Sequence, residues 1–198
     1  MSKIKPFIRS SYAVAALITA CCILLHFMDT NSLLAFRRDG IANGEYWRLF
    51  TGNLLHTNQW HLLMNLAGLW VLLLLFKPHF QALSFTLIFS ALCLLQGLGL
   101  YLFYPGLLGY VGLSGMLHGL FTYGAIRDIS TGLKSGYLLL LGVIIKVAYE
   151  QIFGASAQVT EMIGARVATE AHLVGVITGI FVVGLVSLFS KLYRKANI

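Results

Sequence analysis

Six long apolar runs, separated by short polar or charged stretches, make up most of the chain. They cover about 12–27, 60–76, 82–103, 114–126, 137–153 and 171–189. A helix rises ~1.5 Å per residue and the hydrocarbon layer is ~30 Å thick, so runs of this order predict membrane-crossing helices. The fourth is short and stops at Arg127-Asp128. No hydrophilic stretch is long enough for a soluble domain, so the pattern predicts one domain over 1–198. Its class is all-α: a polytopic membrane protein with a six-transmembrane-helix bundle. A cleaved signal is the alternative for the first run. Lys3, Lys5 and Arg9 precede it, and Ile18 to Cys21 resembles a lipoprotein cleavage site. Apolar character continues unbroken to Phe27, which favours a span.

The intervening segments differ in character. Residues 29–48 are mixed and long for a connection between membrane helices, and long loops are often functional. Gly44-Glu45-Tyr46-Trp47-Arg48 reads there as an amphipathic piece, with aromatics at the interface and Arg48 near headgroups. Residues 104–112 form a short uncharged loop with Pro105, Gly106 and Gly109. A polar loop carrying Glu161, Arg166 and Glu170 precedes the last run.

Charge orients the bundle. One set of run ends carries Lys3, Lys5, Arg9, Lys77, Arg127, Lys134, Lys191, Arg194 and Lys195; the other carries Arg37, Arg38, Arg48 and Arg166. The positive-inside rule then places both termini in the cytoplasm and the loops before Ser114 and His172 on the outer side. Composition agrees with the membrane reading: 58% of residues are apolar, 11% are charged, and mean hydropathy is +0.82. The net charge of +7 does not indicate nucleic acid, because the cations sit at the ends of apolar runs and form no patch. Cys21, Cys22 and Cys93 lie within apolar runs, where free thiols are expected rather than a disulfide frame.

Polar side chains inside such runs are costly, so they mark candidate chemistry. Ser114 opens the fourth run within Gly112-Leu-Ser114-Gly115-Met-Leu-His118-Gly119. Alone it reads as a helix N-cap or as a nucleophile, and it lacks the G-x-S-x-G elbow because Met116 stands at the last glycine. Gly115 and Gly119 form a small-xxx-small pair that lets another helix approach. His172 lies in Ala171-His172-Leu-Val-Gly175-Val-Ile-Thr-Gly179, with both glycines on its own face. Two glycine faces, one bearing serine and one histidine, suggest each other as partners, with the imidazole as general base. His61 and Asn65, one turn apart on the second span, are either interhelical hydrogen-bond glue or paired donors for an oxyanion. A metal site from His56, His61, His118 and His172 is the weaker option. No cysteine or carboxylate joins them at ligand spacing and there is no H-E-x-x-H, so neither a metal nor another cofactor is expected.

Trp47-Arg48, His61-x-x-x-Asn65, Gly112-x-Ser114-Gly115 and Ala171-His172-x-x-Gly175-x-x-x-Gly179, in that order, resemble the rhomboid family of intramembrane serine proteases. The resemblance runs from about Tyr46 to Gly179. It implies a rhomboid-like bundle and a Ser114/His172 dyad with no acidic third member. It implies an oxyanion site from His61, Asn65 and the Ser114 N–H. Gly112, Gly115 and His118 are expected to surround these groups, His118 packing beneath His172 and fixing its orientation. The resemblance also places Trp47-Arg48 in a loop dipping into the outer leaflet. The chain departs from the commonest pattern at His118, where an aromatic usually stacks on the catalytic imidazole. Histidine there is similar to the rhombosortase branch, as are the short length and the lack of extra domains. That branch implies a secreted substrate with a C-terminal Gly-Gly-type tail, a hydrophobic span and a basic end. The expected setting is a bacterial inner membrane with the active site facing the periplasm. The partners are then a transmembrane protein substrate and the lipid bilayer, and no nucleic acid. Water and a lipid amine are both compatible as acyl acceptors.

Lys146 and Glu150 are i and i+4 on the fifth span, with Gln151 next; the rhomboid motifs give them no place. They read either as interface charges or as substrate contacts near the cleavage point, while Glu170 reads as a loop charge. Two rival functions remain distinguishable: an inactive rhomboid-like binding partner, and a small transporter using the histidines as a relay.

Overall fold

The computed structural model describes residues 10–28 and 30–196, so Lys3, Lys5 and Arg9 lie outside the described residues. Six helices of 17 residues or more run through it: α1 Ser11–Phe27, α2 Gln59–Leu75, α3 Ala82–Phe103, α4 Ser114–Ser130, α5 Ser135–Phe153 and α6 Thr169–Ala196. Their starts and stops have local causes. Asn58 caps α2 by accepting the His61 N–H at 2.9 Å. Gln81 and Ser84 form a reciprocal capping box on α3. Gly154, at φ +78°, ends α5.

Three of these helices, Ala82–Phe103, Ser135–Phe153 and the Thr169–Tyr193 part of α6, are long and apolar enough to cross a membrane alone. A fourth span arises if Arg48–Leu54 and α2 count as one element, although they meet at a 97° bend. Helices α1 and α4, at 17 residues each, are shorter.

Helices α4 and α6 run side by side in the same direction, separated by little more than backbone. A Cβ on Gly119 would lie 2.9 Å from the Gly175 carbonyl oxygen, and one on Gly179 would lie 2.5 Å from that of Gly119. A Cβ on Gly175 would meet the Gly115 carbonyl oxygen directly. The remaining core is aliphatic and aromatic: Leu69, Phe76, Phe85, Leu92, Met116 and Leu120 are wholly buried among α2, α3 and α4. Helix α5 is peripheral, burying only Gly136, Val143 and Val147. Helix α1 packs antiparallel on α2, with Tyr12 stacked on Trp70 and the Lys77 ammonium over the Tyr12 ring. The described chain therefore begins and ends at the opposite end of the bundle from the N-termini of α2, α4 and α6.

The loops at that N-terminal end are built, not slack. Strands β1 (Phe36–Arg37) and β2 (Gly109–Tyr110) pair antiparallel, joining the first loop to the loop before Ser114. Arg38 donates to the carbonyls of Tyr101 at 2.7 Å, Tyr104 at 2.9 Å and Leu100 at 3.1 Å. A guanidinium thus satisfies the open C-terminal end of α3, where the helix dipole also favours a cation.

Several sequence expectations need correction. Arg48 does not reach headgroups. It is buried, pairs with Glu45, and donates to Ala35 O at 2.9 Å and Ser32 O at 3.0 Å. Its five donors are better used on loop carbonyls that the fold has taken from water. The fourth helix runs on past the apolar stretch to Ser130, and buried Asp128 within it accepts from His79 at 2.6 Å. The sixth extends to Ala196. The polar loop before it contains a helix, Ala157–Ile163, capped by Ser156 and ended by left-handed Gly164.

Gly175→Ala should force α4 and α6 apart and cost about 1–3 kcal/mol of stability, read by unfolding in detergent. Gly184→Ala, on the same helix with nothing within 4 Å of its added Cβ, should cost nothing and stabilise by up to about 1 kcal/mol through helix propensity.

Candidate active site

The loop into α4 sets the position of Ser114. Gly112 has φ +121°, and a Cβ there would lie 2.6 Å from His61 Nε2, so both backbone and space demand glycine. The Tyr110 hydroxyl donates to Gly112 O at 2.5 Å and accepts the Gly115 N–H at 3.3 Å. Burial pushes the Tyr110 phenol up to about 12, so it remains a donor. Sequence reasoning passed over Tyr110, whose one signal is an aromatic two residues before the glycine.

Ser114 begins α4, and its Oγ lies 3.0 Å from Nε2 of His172, near the start of α6. The glycine contacts set this spacing, since bulk at 115, 119, 175 or 179 would hold the two helix starts apart. The His118 ring stacks on that of His172, centroids 4.1 Å apart and planes at 20°, and its Nδ1 donates to Ser114 O at 2.7 Å.

From α2, His61 and Asn65 both border Gly112: their Nε2 and Nδ2 would be 2.6 and 3.6 Å from a Cβ there. Thr57 engages the other ring nitrogen of His61, with Oγ1 at 3.0 Å and its N–H at 3.4 Å. Thr57 Oγ1 also donates to Ile163 O at 2.7 Å, and Asn58 Nδ2 donates to Met162 O at 2.9 Å. These bonds dock the unforeseen helix Ala157–Ile163 over the start of α2. His56 packs edge to face on His61, centroids 5.1 Å apart, and does not join His118 and His172.

Lys146 and Glu150 of α5 face the two stacked histidines. Glu150 Oε2 is 2.8 Å from His172 Nδ1, and Lys146 Nζ is 2.9 Å from Glu150 Oε1 and 2.7 Å from His118 Nε2. Gln151 turns away and donates to Thr169 O at 2.9 Å, tying α5 to the start of α6. Glu170 pairs with Arg166 at 2.7 Å. The carboxylate that sequence spacing did not supply thus arrives from another helix: ligand atoms of His118, Glu150 and His172 lie within 4.8 Å of one another. Such a trio could hold a divalent cation, but the Lys146 ammonium lies within 3.5 Å of one ring nitrogen of each histidine and of the carboxylate.

Two cavities meet at Ser114 and His61. One, of about 550 Å³, opens among the loops beside Tyr110, Gly109 and Arg166. The other, of about 600 Å³, lies between α2 and α5, bordered by Met64, Tyr149 and His172. The serine hydroxyl is thus reachable both from the loop side and from the flank of the bundle.

The Rhomboid domain family matches residues 43–189 of this chain. The chain is also 36% identical over 86 residues to a Bacillus subtilis (strain 168) protein named "Putative rhomboid protease YdcA". That alignment covers 41% of this chain and 41% of the relative, so the match spans less than half of the relative's own length.

Tyr110→Phe should cost about 1 kcal/mol of stability near neutral pH by removing both hydrogen bonds of the hydroxyl. An unfolded phenol ionises near ~10. The folded one holds its proton to about 12. Its contribution is therefore complete below the unfolded value and is lost as pH rises through the folded one. Denaturation followed from neutral to alkaline pH should show a shallower alkaline decline in the variant.

Proposed function

The chain belongs to the rhomboid family, and from that premise we propose that it is an intramembrane serine endopeptidase with Ser114 as nucleophile and His172 as general base. The observation that carries this reading is the 3.0 Å contact between Ser114 Oγ and His172 Nε2, with His118 stacked behind. Ser114 Oγ attacks the scissile carbonyl while its proton passes to His172 Nε2. The tetrahedral oxyanion takes hydrogen bonds from His61 Nε2 and Asn65 Nδ2, which both border Gly112, and from the Ser114 N–H at the positive end of α4. Thr57 holds the His61 ring at Nδ1, through its hydroxyl at 3.0 Å and its N–H at 3.4 Å, and so keeps Nε2 turned toward Gly112. Collapse breaks the peptide C–N bond, His172 gives its proton to the leaving amine, and an acyl-enzyme forms on Ser114. Water then repeats the sequence with His172 as base, releasing the acid.

The two cavities suit a segment that enters from lipid between α2 and α5 and emerges among the loops. A substrate helix must unwind to place one carbonyl on Ser114, so a glycine-rich end is favoured. We assign the substrate to secreted proteins with a C-terminal Gly-Gly-type tail, as in the rhombosortase branch; the support is histidine at 118 in place of the usual aromatic. In this reading six spans cross a bacterial inner membrane with both termini in the cytoplasm, and the site faces the periplasm. The basic residues Lys77, Arg127, Lys134, Lys191 and Lys195 at the end opposite Ser114 support that orientation.

A fluorophosphonate probe should label the wild type and fail on Ser114→Ala and on His172→Ala. His61→Ala or Asn65→Ala should each lower turnover by about 10²-fold or more, the usual cost of one oxyanion donor. Co-expression with a Gly-Gly-tailed protein, scored by mass, should show tail removal by the wild type and none by Ser114→Ala. Probe labelling without tail removal would favour a rhomboid protease with other membrane substrates. Absence of labelling would return the chain to the inactive binding-partner reading.

A further inference from the structure

The serine and histidine do not stand alone: a carboxylate from the peripheral helix α5 closes on the histidine. We propose that Glu150 is the positioning residue of His172, setting its tautomer, and that Lys146 locks that carboxylate so that only an acceptor on both oxygens fits. This rests on the protease reading above and adds an acidic third member to the serine and histidine.

The argument is a count of donors and acceptors. A neutral imidazole has one N–H and one lone pair. His172 Nδ1 faces Glu150 Oε2 at 2.8 Å, and an ionised carboxylate can only accept. The proton therefore sits on Nδ1, which leaves the lone pair on Nε2, 3.0 Å from Ser114 Oγ. That is the tautomer a general base requires. The other oxygen, Oε1, accepts from the Lys146 ammonium at 2.9 Å. An ammonium can only donate, so His118 Nε2, 2.7 Å from Nζ, must carry a lone pair. His118 Nδ1 then holds the proton and donates to Ser114 O at 2.7 Å. One assignment satisfies every group, and the chain of bonds starts and ends on Ser114. Lys146 is also 3.5 Å from His172 Nδ1; with both groups donors, that contact is proximity and not a bond.

Other charged or titratable groups near the two histidines are accounted for. Glu170, two residues before His172, is held by Arg166 in a bidentate pair. His61 approaches from α2 and engages Thr57. Packing alone gives no reason for an ion pair at this point of α5, whose buried positions are Gly136, Val143 and Val147. During the reaction the proton from Ser114 Oγ makes His172 an imidazolium beside the Glu150 carboxylate. The same proton leaves on the departing amine, and Glu150 stays ionised throughout.

The design predicts an unusual failure of glutamine. Both partners of Glu150 are donors, and an amide has one acceptor and one donor end. Glu150→Gln must therefore oppose donor to donor either at Lys146 or at His172, and in the second case the imidazole proton moves to Nε2. Removing the lysine releases the conflict. In a Lys146→Met/Glu150→Gln double variant the amide oxygen can again take the Nδ1–H.

The test uses the purified full chain in detergent with nitrogen-15 in its histidines, at a pH above the imidazole range. His172 is assigned by comparison with His172→Ala. Its nitrogen shifts should report the Nδ1–H tautomer in the wild type, a gain of Nε2–H in Glu150→Gln, and a return to Nδ1–H in the double variant. In parallel, fluorophosphonate labelling of Ser114 should show the maximal rate falling by about 10²-fold in Glu150→Gln, with half-saturation unchanged, and partly recovering in the double variant. An Nε2–H tautomer in the wild type overturns the proposal. So does a Glu150→Gln variant that keeps both tautomer and rate, or a double variant no better than the single one. The tautomer readout does not depend on turnover. Shifts as expected in a chain that no probe labels would sink the protease reading and leave Glu150 as the group that orients His172.

Discussion

The contact on which the rest depends is backbone against backbone: Gly115 and Gly119 of α4 on Gly175 and Gly179 of α6. A serine hydroxyl is short and an imidazole is rigid, so their meeting at 3.0 Å leaves little freedom in the separation of the two helices. Any side chain at those four positions would hold the helices apart by more than the hydrogen bond can span. In hydrocarbon there is no hydrophobic drive between helices, and close packing of small residues is what remains to hold them together. The same glycines that give the pair its cohesion therefore give it its geometry.

Polar atoms in such a bundle are costly without partners, and around the serine the structure supplies those partners as a chain. Around Ser114 the ring nitrogens of His118 and His172 and both Glu150 oxygens have partners, with Lys146 bridging His118 and Glu150. An incomplete chain would leave a charged group unpaired in apolar surroundings, which is far more costly than having no polar group there. At the loop end, Arg38 closes the carbonyls of α3, and Arg48 closes those of the first loop. These two guanidiniums fix the segments that β1 and β2 bring to Tyr110, and Tyr110 in turn holds Gly112 and Gly115 around the serine. The site is thus supported from two sides, by helix packing beneath and by loop hydrogen bonds above.

Helix α5 stands apart from this rigidity. It exposes most of its surface, borders the cavity beside Ser114, and still places Lys146 and Glu150 against the histidines. Its ties to α6 at the site end include Gln151 to Thr169 O. This peripheral helix thus carries two of the charged groups of the polar chain, and it lines the cavity that reaches Ser114.

Much of the molecule was legible in the chain because its signals are local. Hydropathy marked all six long helices, and i, i+4 spacing put Gly115 with Gly119, Gly175 with Gly179 and His61 with Asn65 on shared faces. The order of motifs pointed to one family, since few folds need a serine, a histidine and paired donors at those places. The sequence alone misread what depends on rotation and depth. Arg48 looked like a headgroup contact because its neighbours are aromatic, yet the fold surrounds it with loop carbonyls. Lys146 and Glu150 were seen to share a helix face, but no local rule says which neighbour that face will meet. The helix Ala157–Ile163 is too short and polar to announce itself, and its docking on Thr57 and Asn58 is what defines it. Period and composition act within one helix, whereas the meeting of Glu150 with His172 depends on how far two helices turn and slide against each other, and that is settled only by packing.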